Sequence, residues 1–204
     1  MLTSKSLAAL SIASLSMLPF AKEVKSDDYK KGLYGYIGAG TGTFSDLVIQ
    51  GTPFSVNFDP GFSFESSLGY DFGKHYRVEA SYSNTTSTTV TDNNAKFRSI
   101  IFNGYLDFPI ENTKWTPFIG AGYGSTNVDA ENLCTAGGTD NCKDDVATYS
   151  ISGGLSYALD SDKDITGKIT YLGFDTINVI DDGLAASVTD SETLSVHIGV
   201  KFKF

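Results

Sequence analysis

The end of the 204-residue chain reads Leu194-Ser-Val196-His-Ile198-Gly-Val200-Lys-Phe202-Lys-Phe204. Every even position is apolar, every odd one is small or polar, and the last residue is a Phe. Successive side chains on a strand point to opposite faces, so this is a strand with one greasy and one wet face. A sheet in water has little use for such a strand at its edge. A transmembrane barrel requires it, with lipid outside and polar side chains inside.

The same alternation recurs upstream. Strands are expected near 33–44, 61–72, 75–84, 97–108, 115–126, 146–159, 164–174 and 191–204, eight in all. In the second, Phe62, Phe64, Leu68, Tyr70 and Phe72 oppose Ser63, Glu65, Ser67, Gly69 and Asp71. In the third, Tyr76, Val78, Ala80 and Tyr82 oppose Arg77, Glu79, Ser81 and Ser83. The fourth sets Ile100, Phe102, Leu106 and Phe108 against Ser99, Asn103 and Asp107. The sixth sets Tyr149, Ile151, Leu155, Tyr157 and Leu159 against Thr148, Ser150, Ser152 and Ser156. In the seventh, Ile165, Ile169 and Tyr171 oppose Thr166, Lys168 and Thr170, while Leu172 and Phe174 break the pattern. The first and fifth read Tyr36-Ile-Gly-Ala-Gly-Thr-Gly and Phe118-Ile-Gly-Ala-Gly-Tyr-Gly, with the glycines on one face. An inward glycine face leaves room for longer side chains from neighbouring strands.

The connections are lopsided. Segments 45–60, 85–96, 127–145 and 175–190 are long, whereas Gly73-Lys74, 109–114 and 160–163 are short. Long loops at one end and tight turns at the other are characteristic of outer-membrane barrels. Aromatics gather at both strand ends. Tyr34, Tyr36, Tyr70, Phe72, Tyr76, Phe108, Trp115, Phe118, Tyr157, Phe202 and Phe204 fall at the short-turn end. Phe44, Phe62, Phe64, Tyr82, Phe97 and Tyr149 fall at the other. Membrane interfaces select such girdles, here expected chiefly from Tyr70, Phe72, Tyr76, Phe108, Trp115, Tyr157, Phe202 and Phe204. The fold read from this is all-β: an eight-stranded antiparallel up-and-down transmembrane barrel with four long outer loops and three short periplasmic turns.

In lipid every backbone N–H and C=O must find a partner within the protein, which a closed sheet provides. Eight strands enclose a lumen only wide enough for side chains. The expected inward acids are Glu65, Asp71, Glu79 and Asp107, and the expected inward bases Arg77, Lys168, Lys201 and Lys203, equal in number. Buried charges need partners. A lumen charge network of Glu65, Arg77, Glu79, Lys168 and His197 is therefore expected as structural filling, with ion gating as the alternative.

Leu7 to Phe20 is a short apolar run after Lys5, too short to span as a helix and suited to a signal peptide. The expected division is a signal peptide at 1–21, a linker at 22–32 and the barrel at 33–204. The net charge of −9 argues against nucleic acid, whose phosphates demand basic patches. Much of it sits in two loops. Asp129, Glu131, Asp140, Asp144 and Asp145 face Lys143 in 127–145, and Asp175, Asp181, Asp182 and Asp190 have no basic counterpart in 175–190. Such loops keep a surface solvated, or hold divalent cations that bridge to lipopolysaccharide. Cys134 and Cys142 are expected to pair as a loop disulfide in an exported chain, metal binding being the alternative. No catalytic, cofactor or metal residues are expected.

The sequence resembles the small eight-stranded outer-membrane barrels: the OmpA-like transmembrane domain, OmpX, and the opacity and surface-antigen families. The matching features are Ile37-Gly-Ala-Gly, Ile119-Gly-Ala-Gly, Asn103-Gly-Tyr-Leu-Asp-Phe108, Lys168-Ile-Thr-Tyr-Leu172 and the terminal strand ending in Phe204. The resemblance implies residence in the cell outer membrane, contact with its lipid and lipopolysaccharide, and recognition of the C-terminal strand by the barrel-assembly machinery. It also implies a structural, surface-antigen or adhesin-like role, with a host or surface ligand at the loops. Many OmpA-like proteins continue into a peptidoglycan-binding domain, which is not expected after Phe204. A narrow channel for small solutes is the alternative. Two further readings each make a specific demand. A lipid-modifying enzyme would need Ser195 and His197, both expected in the lumen, with no acid evidently placed to orient the imidazole. A soluble lipid carrier would need the two faces reversed.

Overall fold

A computed structural model describes residues 31–44, 47–48, 55–56, 58–73, 75–89, 94–129, 143–175, 177–181, 184–188 and 192–204. The segment expected to be a signal peptide, most of the linker, and both cysteines lie outside the described residues. Eight long strands form the barrel: β1 (Gly32–Phe44), β2 (Gly61–Asp71), β3 (Tyr76–Thr89), β4 (Asn94–Asp107), β5 (Trp115–Asp129), β6 (Lys143–Ala158), β7 (Lys163–Phe174) and β8 (Glu192–Lys203). Each pairs antiparallel with its neighbour in sequence, and β1 pairs with β8 to close the sheet. Along that seam Tyr36 meets Lys201 and Ala39 meets Ile198, and the Phe204 N–H donates to the Leu33 carbonyl at 2.9 Å. Closure leaves no free edge among these strands, the condition that hydrocarbon imposes on a backbone.

The two faces sort as the alternation dictates. Phe62, Val78, Phe102 and Ile198 are 64, 47, 69 and 69% exposed on the outside. Glu65 and Lys168 are buried inside. A soluble carrier would show the opposite arrangement.

The glycine faces of β1 and β5 turn inward, and close neighbours take up the space: the Tyr36 ring of β1 itself at Gly38 and the Val196 carbonyl of β8 at Gly40. A Cβ at Gly120 would strike the Tyr105 ring from β4, and one at Gly69 of β2 would strike Tyr34 from β1. The short turn after β2 uses Gly73 in the left-handed region, φ 87°, with the Asp71 carboxylate accepting its N–H at 2.8 Å.

The long connections differ from expectation. β3 and β4 run on to Thr89 and Asn94, so most of the segment expected as loop 85–96 is strand. Segment 127–145 likewise lends its ends to β5 and β6. Two other connections carry ribbons of their own, Leu47–Val48 on Ser55–Val56 and Ile177–Asp181 on Leu184–Val188. The barrel's outer end therefore continues as β-structure beyond the apolar band.

Candidate functional site

The lumen is filled in layers. At the short-turn mouth Asp164 lies between Lys201 at 2.8 Å and Lys203 at 3.2 Å. Asp164 was missing from the expected inward acids, although it shares the parity of Thr166 and Lys168 on β7. With it, the lumen-facing acids outnumber the bases by one. Above it, Arg77 donates through Nε to both carboxylate oxygens of Asp107 at 3.0 Å. Its guanidinium also stacks over Tyr105 at 4.1 Å and Phe118 at 4.6 Å. Arginine's planar fork suits this combined role.

Glu79 is the hub of the next layer. It accepts from the Tyr34 hydroxyl at 2.9 Å and the Tyr105 hydroxyl at 3.4 Å, with Arg77 and Lys168 each at 3.7 Å. Lys168 pairs with Glu65, and its ammonium sits 5.0 Å from the Tyr36 ring centre. His197 reaches from β8 across Gly40 of β1 to Ser63 of β2, with Nε2 2.8 Å from Oγ. Its Nδ1 lies 3.5 Å from Glu65. Glu65, Arg77, Glu79, Lys168 and His197 thus fall in one continuous cluster.

Toward the outer end the charges give way to hydroxyls, Ser99 to Thr126 to Thr148 and Ser81 to Asn103 to Ser150. An apolar lid follows. Phe44 stacks on Phe97 with centroids 3.4 Å apart, Phe174 lies 6.1 Å from Phe44, and Val128, Val146 and Leu172 are buried with them. Leu172 and Phe174 therefore keep strict alternation; the interior itself changes from polar to apolar near its mouth.

This corrects part of the expected girdles. Tyr34, Tyr36 and Phe118 at one end, and Phe44 and Phe97 at the other, face the lumen. Tyr70, Phe72, Tyr76, Phe108, Trp115, Phe202 and Phe204 are exposed on the outside at the short-turn rim. Tyr157 is half-buried beside Trp115, ring centres 4.6 Å apart.

The lumen chemistry is confined. Ser63, His197 and Glu65 follow one another as a nucleophile, base and acid would, but Nδ1 of His197 makes no hydrogen bond, so Glu65 does not orient the imidazole. Glu65 comes from β2, and Ser195 instead donates to the Thr170 carbonyl at 3.4 Å. Ser63 is wholly buried, and the adjoining cavity among Glu65, Asn103, Lys168 and His197 measures about 20 Å³. That is room for about one water. Among the described residues no group of His, Cys, Asp and Glu is arranged to hold a metal ion.

Solved structures share this architecture. Neisserial surface protein A superposes with a TM-score of 0.64 at 19% identity, over 85% of this chain and 97% of that one. The outer membrane protein AlkL, determined in lipid bilayers, gives 0.57 at 11% identity, over 92% and 97%. At these identities the likeness concerns the fold. No curated protein matches the chain in sequence. The model of the outer membrane protein beta-barrel domain matches residues 6–204, nearly the whole chain. The chain thus belongs to that family and is an integral β-barrel of the cell outer membrane.

Proposed function

We propose that the barrel is a rigid, non-enzymatic platform, and that its outer, loop-bearing end serves a surface-antigen or adhesive role. The observation that carries this reading is the filled lumen: three charged tiers, a hydroxyl belt and an aromatic lid in series, around a cavity of about 20 Å³. Among the described residues these layers leave a solute no path through the lumen and a substrate no way to Ser63. Recognition is left to the outer surface, where the strands extend past the membrane and the acidic connections begin. On this reading the chain is exported by residues 1–21, folded by the assembly machinery through β8, and stiffened by a Cys134–Cys142 bridge.

The test replaces residues 130–142 or 176–191 with short turns in cells displaying the protein. Adherence to a panel of host cells and matrix glycans is expected to fall, while heat-modifiable gel mobility shows an intact barrel. Undiminished adherence in both variants would overturn the reading. The channel alternative makes the opposite electrical prediction. Discrete conductance in planar bilayers, abolished by Lys168→Met or Glu79→Gln, would replace the platform with a pore.

A further inference from the structure

Lys96 and Arg98 stand together on the outward face of β4 and are exposed. From Phe108 at the short-turn rim to Arg98 is ten residues. At about 3.3 Å per residue and a tilt near 40°, that is roughly 25 Å of height, the thickness of the apolar band. Arg98 therefore sits where the outer-leaflet headgroups begin. Its ladder neighbours, Asn84 of β3 and Asn127 of β5, are uncharged. Lys96 has Asp129 across the ladder, which offsets part of its charge. Asp145 on β6 accepts from the Asn127 side chain at 3.0 Å.

Directly below Arg98, on the same face, Ile100 begins a groove of about 720 Å³ on the barrel exterior. Gly35, Ser66 and Ala80, small residues on three adjacent strands, lie along its floor, and Leu68 and Phe202 help to wall it. No charged residue lines it. Ser66 and Tyr82, opposite each other in the ladder, carry the hydroxyls of its upper half.

The geometry points to a binding site for one phosphorylated, acylated lipid of the outer leaflet. A phosphate rests on the Arg98 fork with Lys96 beside it, and one acyl chain lies in the groove beneath. Arginine's donors match phosphate oxygens two at a time, and the low dielectric of the interface strengthens that pairing. The groove adds little hydrophobic energy, because the chain leaves lipid for a lipid-like wall. It adds close packing, the term that drives association within bilayers. The phosphate supplies selectivity and the groove residence time. This site lies on the lipid face and is independent of the loops' role.

Native mass spectrometry of the protein ejected from phosphatidylethanolamine nanodiscs doped with bis-phosphorylated lipid A tests the site. One retained lipid A per barrel is expected. Lys96→Ala/Arg98→Ala should lower retention at least tenfold, as should dephosphorylated lipid A with the wild-type protein. Ser66→Leu/Ala80→Leu, which fills the groove with residues suited to the lipid face, should also lower it several-fold. Excess inorganic phosphate should not displace the lipid. Heat-modifiable mobility confirms that each variant is folded. Equal retention by the wild type and the folded Lys96/Arg98 variant, or equal retention of both lipid forms, would overturn the proposal.

Discussion

Lys168 shows what a buried charge in a sealed barrel requires. Its ammonium has Glu65 and Glu79 as counter-ions, the Tyr105 hydroxyl at 3.4 Å and the Tyr36 ring nearby. Removing one partner of a buried pair costs about 3–5 kcal/mol, because the other charge stays uncompensated. Lys168→Met should destabilise the barrel by about that much. Lys168→Met/Glu65→Leu removes both charges and should cost less than the single change. Urea unfolding in phospholipid vesicles, followed by Trp115 fluorescence, measures both. A double variant as weak as the sum of the two single changes would show that the pair is uncoupled. The sequence made the inward placement of Glu65 and Lys168 legible, because parity fixes the face. The members of their network were legible for the same reason, but which group meets which was not, because lumen contacts skip strands, as His197 reaches Ser63 over Gly40.

At the level of the strand, glycine position is as informative as charge. Gly120 of β5 receives the Tyr105 ring from β4, so Gly120→Val should overpack it and cost about 1–3 kcal/mol. Gly104 faces outward, and a Cβ there meets nothing within 4 Å. Gly104→Ala should therefore lie within about 0.5 kcal/mol of the wild type in the same unfolding assay. Equal costs at the two sites would mean that backbone entropy, not ring space, governs these glycines. Strand limits at the short turns were readable from Gly73, Pro109 and Asp160, each of which interrupts an alternating run. The outer limits were not, because beyond the bilayer the outward face also meets water, so polar residues stand on both faces of the strand. Thr85-Thr-Ser-Thr-Thr89 carries no apolar alternation yet continues β3. Leu172 and Phe174 misled for a related reason: the lumen changes character along its length, and a two-letter pattern does not record depth.

For the molecule as a whole, the ordering is oily belt outside, plug inside and a headgroup boundary near Arg98, and each part limits what mutation can do. The plug is redundant. Phe97→Ala should cost about 3–5 kcal/mol in stability, yet planar bilayers should stay silent, because the Arg77 and Lys168 layers still close the lumen. The belt is graded by depth, and this gives the sharpest test of the orientation. Ile198 lies six residues from Phe204, about 15 Å above the rim on the same rise and tilt, near the middle of the band. An arginine there has no water to reach and should cost about 2–4 kcal/mol, while Phe204→Arg, at the interface, should cost about 0–1 kcal/mol. Refolding yield and urea midpoint in vesicles of uniform thickness read both variants. In thinner vesicles the Ile198→Arg cost should shrink, since the guanidinium comes closer to water, while Phe204→Arg should hardly respond. Equal costs at the two depths, or no dependence on thickness, would place Ile198 away from the bilayer centre and break the link between the alternating C-terminal strand and lipid.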